Sequence, residues 1–137
     1  MLVRLPWALV LAICAAAILI CFAGALTGGQ AAAAVLLPLS GLFMSVVYPT
    51  LNSKGISGFP KAEHGAAAGV ILFFTCVGAV VAPLAMGMVS DALGGPLYGL
   101  ALACGLALIL ALATLANLIW SPFAKRLAAC DDREYGR

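Results

Sequence analysis

The chain has 137 residues, 65% of them hydrophobic and only 9% charged, with a formal net charge of +2. Soluble domains carry about 25% charged residues, so this composition excludes a water-soluble globule and predicts an all-α integral membrane protein. The basic residues are dispersed, which argues against nucleic acid as a partner, because phosphate binding needs a concentrated basic face.

The apolar stretches divide into four predicted spans. No charged residue occurs between Leu5 and Ser53, between Gly65 and Ser90, or between Ala92 and Ala124. A span needs roughly 20 apolar residues to cross about 30 Å of hydrocarbon, so the first run holds two spans and each later run holds one. The unbroken length of these runs excludes barrel strands, and helices alone can satisfy their backbone groups in lipid. Span one is predicted over 5–26, with Pro6 in its first turn, where a missing N–H costs nothing. Thr27-Gly28-Gly29-Gln30 makes a tight turn. Span two covers 31–51 and contains Pro38 and Pro49. Each proline removes a backbone hydrogen bond, which predicts a kink or break near Tyr48-Pro49. An inner loop from Asn52 to His64 follows, with Gly55, Gly58 and Pro60. Span three covers 65–89 and is distorted by Pro83. Span four covers 97–120 and stops at Ser121-Pro122, with Trp120 at interface depth. Residues 1–124 thus form a four-span membrane segment, and residues 125–137 form a charged tail.

The basic residues then order the topology. Arg4 precedes span one, Lys54 and Lys61 lie between spans two and three, and Lys125, Arg126, Arg133 and Arg137 follow span four. The other two connections carry none. Positive residues near span ends stay cytoplasmic, which predicts antiparallel helices with both termini inside, in the cell inner (plasma) membrane. A cleaved signal peptide fits less well: the first apolar run exceeds the usual 7–15 residues of such a segment. The cysteines at 14, 21, 76, 104 and 130 form no CxxC pair, and four lie within spans, where a thiol acts as a small apolar group. Neither a disulfide framework nor a metal site is expected.

Small residues recur at packing intervals. Gly24 and Gly28, Gly65 and Gly69, and Gly95 and Gly99 are each four apart, a spacing that lets helices approach closely. On span three, Gly65, Gly69, Leu72, Cys76, Val80, Pro83 and Gly87 make one narrow stripe. It serves either ordinary helix packing or a sliding face in a protein that rocks between two states.

Groups that could carry chemistry are few. His64 is the single histidine and stands beside Glu63 and Lys61. No serine or cysteine lies near a plausible base, so an enzyme is not expected, nor is any cofactor. Glu63 precedes span three, where a carboxylate favours the positive end of the helix dipole; a gating contact between inner loops is the alternative. Asp91 stands at the outer end of that span, either solvated at the interface or touching a neighbouring helix end. No ionisable residue falls at mid-membrane, where proton relays and ion paths place theirs. This also disfavours a small multidrug antiporter, which needs a glutamate in its first span. The best polar cluster is on span two. Gly41, Ser45, Tyr48 and Asn52 are spaced by four, three and four and so share a helical face. They either present hydrogen bonds to a polar solute, or Ser45 bonds back to its own helix and Tyr48 anchors at the inner interface. Thr75 and Asn117 are weaker candidates, Thr75 because it can bond back to its own helix.

The run Gly41-Leu42-Phe43-Met44-Ser45-Val46-Val47-Tyr48-Pro49-Thr50-Leu51, a Gly-rich inner loop, and then Glu63-His64-Gly65-Ala66-Ala67-Ala68-Gly69 resembles the late helices of major facilitator superfamily transporters. The nearest likeness is to the fucose-permease-like sugar:proton symporters, whose tenth helix carries a similar G-(L)-F-x-S-x-x-(F/Y)-P-T segment. Their eleventh helix is Gly-rich and carries V-G-x-x-(hydrophobic)-x-P-L-x-M-G before an aspartate. Here the corresponding stretch is Val77-Gly78-Ala79-Val80-Val81-Ala82-Pro83-Leu84-Ala85-Met86-Gly87, ending in Asp91. The likeness covers Gly41 to Gly94; the flanking spans agree by hydropathy only.

The resemblance implies a partial major-facilitator fold in which the four spans correspond to helices nine to twelve. Span two would line a midplane cavity, span three would border the other half, and spans one and four would face lipid. The implied function is alternating-access transport of a small polar metabolite, such as a sugar coupled to a proton. The family needs two six-helix halves, so the chain is expected to be a C-terminal fragment, or a split subunit joining a partner chain that brings the missing N-terminal helices. The alternative is a non-transporting four-helix assembly or accessory subunit whose Gly stripes bind partner helices.

Overall fold

A computed structural model describes residues 7–120. Four helices follow in order: α1 (Trp7–Thr27), α2 (Gly29–Ser57), α3 (His64–Leu93) and α4 (Pro96–Trp120), with a single 3-10 turn at Lys61–Glu63 before α3. All four are long and apolar enough to cross a membrane. At 1.5 Å per residue, α1 is about 31 Å long, matching the hydrocarbon thickness. The longer α2 and α3 project beyond such a layer.

Glycine and proline set the boundaries. Gly29 and Gly94 have φ of +74° and +75°, a region that costs most residues energy but not glycine. At Gly94 the chain leaves α3 in the left-handed conformation, and its N–H and that of Gly95 both bond to the carbonyl of Ser90. Pro96 then begins α4, where its lost N–H would have had no partner.

Of the kink or break expected near Tyr48-Pro49, the break is absent: α2 runs continuously from Gly29 through Pro38 and Pro49 to Ser57. A proline removes one hydrogen bond, whereas a break in an apolar medium would strand several backbone groups. Residues 52–57, expected in the inner loop, are therefore the last turns of α2, and the connection to α3 shrinks to residues 58–63.

α1 is the central helix. It packs extensively on both α2 and α4, α3 packs mainly on α4, and α2 meets α3 only lightly. Leu11, Cys14 and Ile18 of α1, Val47 of α2 and Ala107 of α4 form the core, with Leu11 and Ile18 each 1% exposed. α3 has no buried residue. The helix assigned to lipid by resemblance is thus the most enclosed, although Ile13 and Ile20 still face outward.

Close approach occurs at three of the expected glycines: a β-carbon on Gly28 would stand 2.5 Å from Ala32 Cβ and 2.8 Å from the Gly24 carbonyl oxygen. A β-carbon on Gly24 would stand 2.8 Å from Leu36 Cδ1 of α2, and one on Gly99 would stand 2.8 Å from the Met86 carbonyl oxygen of α3. Gly65, Gly69 and Gly87 have nothing within 4 Å of a built β-carbon.

Candidate functional site: the polar flank of the second helix

α2 turns different sides to different neighbours. Val47 enters the core shared with α1, and Gly55 approaches Ile71 of α3, with 3.1 Å between a built β-carbon and Ile71 Cδ1. Gly55 stands seven residues beyond Tyr48 and so continues the face of Gly41, Ser45 and Tyr48, which are exposed; Tyr48 is 48% exposed, and Gly41 has nothing within 4 Å of a built β-carbon. Asn52 is half-buried. It lies one turn before Gly55 on α2, while Thr75 lies one turn after Ile71 on α3. The contact between α2 and α3 therefore brings the helix positions of Asn52 and Thr75 to one level, with Tyr48 and Ser45 continuing back along α2.

The hydroxyl protons in this region are already used. Ser45 Oγ donates to the Leu42 carbonyl at 2.6 Å, Thr50 Oγ1 to Val46 at 2.7 Å, and Thr75 Oγ1 to Ile71 at 2.8 Å. Back-bonding leaves the hydroxyl oxygens as acceptors. Ser45 and Thr75 thus offer lone pairs, while Tyr48 and Asn52 supply donor groups of their own.

An apolar hollow, open at its side and lined from all four helices, is a different place. It measures about 290 Å³ and is lined by Ile18, Phe22, Met44, Met86, Ala103, Leu106, Ala107 and Leu110. None of the polar residues chosen from the sequence lines it. Its lining was not legible in the sequence, because apolar residues within apolar runs carry no distinguishing mark; the Ala103 and Ala107 pair, four apart, was the only available signal.

The stripe on α3 lies on the outer surface. Gly65, Gly69, Leu72, Cys76, Val80, Pro83 and Gly87 are all exposed, and a shallow apolar groove runs beside Phe73, Cys76, Val77, Val80 and Val81. At the N-terminal end of α3, Glu63 takes the cap position, but its side chain makes no capping bond. With Phe59, Ala66, Ala67, Val70 and Ile71 it lines a groove of about 320 Å³. His64 closes the turn there: its Nε2–H donates to the Phe59 carbonyl at 2.9 Å. Asp91 is exposed in the last turn of α3. On α4, Asn117 Oδ1 is enclosed without a hydrogen-bond partner among the described residues.

Among the described residues no three His, Cys, Asp or Glu side chains cluster as metal ligands. No family model, curated protein or solved structure matches the chain.

Proposed function

We propose that the chain is an integral membrane protein that contributes four helices to a solute-transporting assembly, with the Gly41, Ser45, Tyr48 and Asn52 flank of α2 as its share of the polar path. One observation carries this reading: Gly41, Ser45 and Tyr48 are exposed among the described residues, and none of the four lines the apolar hollow. A tyrosine hydroxyl that faced hydrocarbon without a partner would cost on the order of a few kcal/mol; Tyr48 stands about 13 Å from the C-terminal end of α2 and reaches the interface only where that end projects beyond the membrane. Helices outside the chain, or water and solute in a path between them, would remove that cost.

The likeness of residues 41–94 to the late helices of major facilitator transporters supports the same reading. On it the solute is a small polar metabolite, a sugar with proton coupling being the nearest example, and both chain ends are cytoplasmic in the cell membrane. Thr75 lines the seam opposite Asn52, while Gly65, Gly69, Cys76, Pro83 and Gly87 seat a neighbouring helix. Glu63 and Asp91 mark the two ends of α3, where a gating contact would act.

A second reading, a four-helix accessory subunit, is favoured by one feature: α3 buries none of its residues while its small-residue stripe stands open. Substituted-cysteine labelling separates the two. In a background without native cysteines, cysteines at Gly41, Ser45 and Tyr48 react with a membrane-impermeant thiol reagent if the flank lines an aqueous path, while Leu42→Cys and Val46→Cys do not. Equal silence at all five positions rejects the transport reading.

A further inference from the structure

The central cavity has chemistry of its own. Its lining comes from all four helices, and the only side-chain heteroatoms in it are the sulfurs of Met44 and Met86. A buried water needs two to four polar partners, which this lining does not supply. The cavity also sits at mid-height. Ile18 is near the middle of α1, Met44 near the middle of α2, and Leu106, Ala107 and Leu110 surround the middle of α4; Met86 comes from the outer half of α3. In a membrane about 30 Å thick, that level is far from both headgroup layers, and the surrounding medium is hydrocarbon.

The cavity is reachable from the side. Met44 and Leu106 keep 43% and 47% of their surface exposed. The least packed adjacent pair is α2 and α3, and Met44 and Met86 come from those two helices. The space measures about 290 Å³ and is open at its side. It is too small for a helix, which is about 10 Å across. Methionine is flexible and polarisable and adapts to guests of no fixed shape.

We propose that this cavity is a lipid site: one acyl chain of a membrane phospholipid enters between α2 and α3 and lies against Met44, Met86, Phe22 and Leu106. The proposal rests on the membrane reading above but not on the transport reading.

The test uses the full chain in phosphatidylcholine vesicles containing a trace of phosphatidylcholine with a diazirine midway along one acyl chain. After illumination, adducts are mapped by peptide mass spectrometry. Adducts are expected at Met44 and Met86 as well as at the outward-facing Ile20 and Val80. Ala103→Phe fills the cavity, so it should lower the yield at Met44 and Met86 several-fold and leave Ile20 and Val80 unchanged. Wild-type chain gives a second readout: moving the diazirine beside the headgroup should abolish adducts at Met44 and Met86. Adducts at Ile20 and Val80 without any at Met44 and Met86 would overturn the lipid site and leave the membrane reading intact. Yields at Met44 and Met86 that persist with the headgroup-proximal probe, or that Ala103→Phe does not lower in a folded chain, would also overturn it. No adduct at any of the four positions would reject the site and the membrane reading together.

Discussion

Gly99 of α4 lies so close to Ser90 of α3 that a β-carbon there would stand 2.6 Å from Ser90 Oγ. The same β-carbon would meet backbone, the Met86 carbonyl oxygen, so rotation of the serine alone could not relieve the clash. The absence of a side chain at Gly99 lets α4 pack directly on the backbone of α3 at Met86. Gly99→Ala is expected to destabilise the chain by about 1–3 kcal/mol, the usual cost of forcing extra volume into a tight contact. Gly65→Ala and Gly69→Ala, in open space, should be neutral or stabilising by about 0.5–1 kcal/mol through helix propensity. Unfolding titrations in detergent micelles compare the three.

Gly94 carries a different constraint. Its φ of +75° suits glycine, and an added β-carbon meets no atom within 4 Å, so any cost of Gly94→Ala is conformational. We expect about 1–2 kcal/mol, read as a lower unfolding midpoint. Gly41→Ala, which is also open but lies within a helix, should show no such loss.

Asn117 offers the opposite sign. A buried acceptor without a partner costs about 1–3 kcal/mol of desolvation. Asn117→Leu is therefore expected to raise the unfolding midpoint, and Asn117→Asp to lower it.

The inner turn depends on one side-chain bond. His64→Ala removes the Nε2–H donation to the Phe59 carbonyl, a net loss of about 0.5–1.5 kcal/mol. The effect should be local: faster amide exchange across residues 58–63, with the global midpoint little changed.

The four helices were legible because charge-free runs of span length leave little else to form. The end of α1 was legible where glycine forces a turn, at Gly28-Gly29, whereas span three was expected to stop at residue 89 and α3 runs on to Leu93. At Pro49 the sequence left a kink and a break both open, because it shows the lost hydrogen bond but not the cost of breaking a helix where water cannot repair it. The arrangement of the helices was not legible either. A helix that is apolar on every side gives no stripe to mark its core face, so nothing in the sequence distinguished the enclosed α1 from the exposed α3. The spacing of Gly41, Ser45, Tyr48 and Asn52 did identify a common flank of α2, since α2 stays helical past all four positions.

The number and direction of crossings underlie every functional statement. Single cysteines at Gln30, Lys61 and Gly95, in a background lacking the native cysteines, can be labelled from either side of sealed vesicles. Four crossings predict that positions 30 and 95 react from the outer face and position 61 from the cytoplasmic face. Reaction of positions 30 and 61 from the same face would contradict the account.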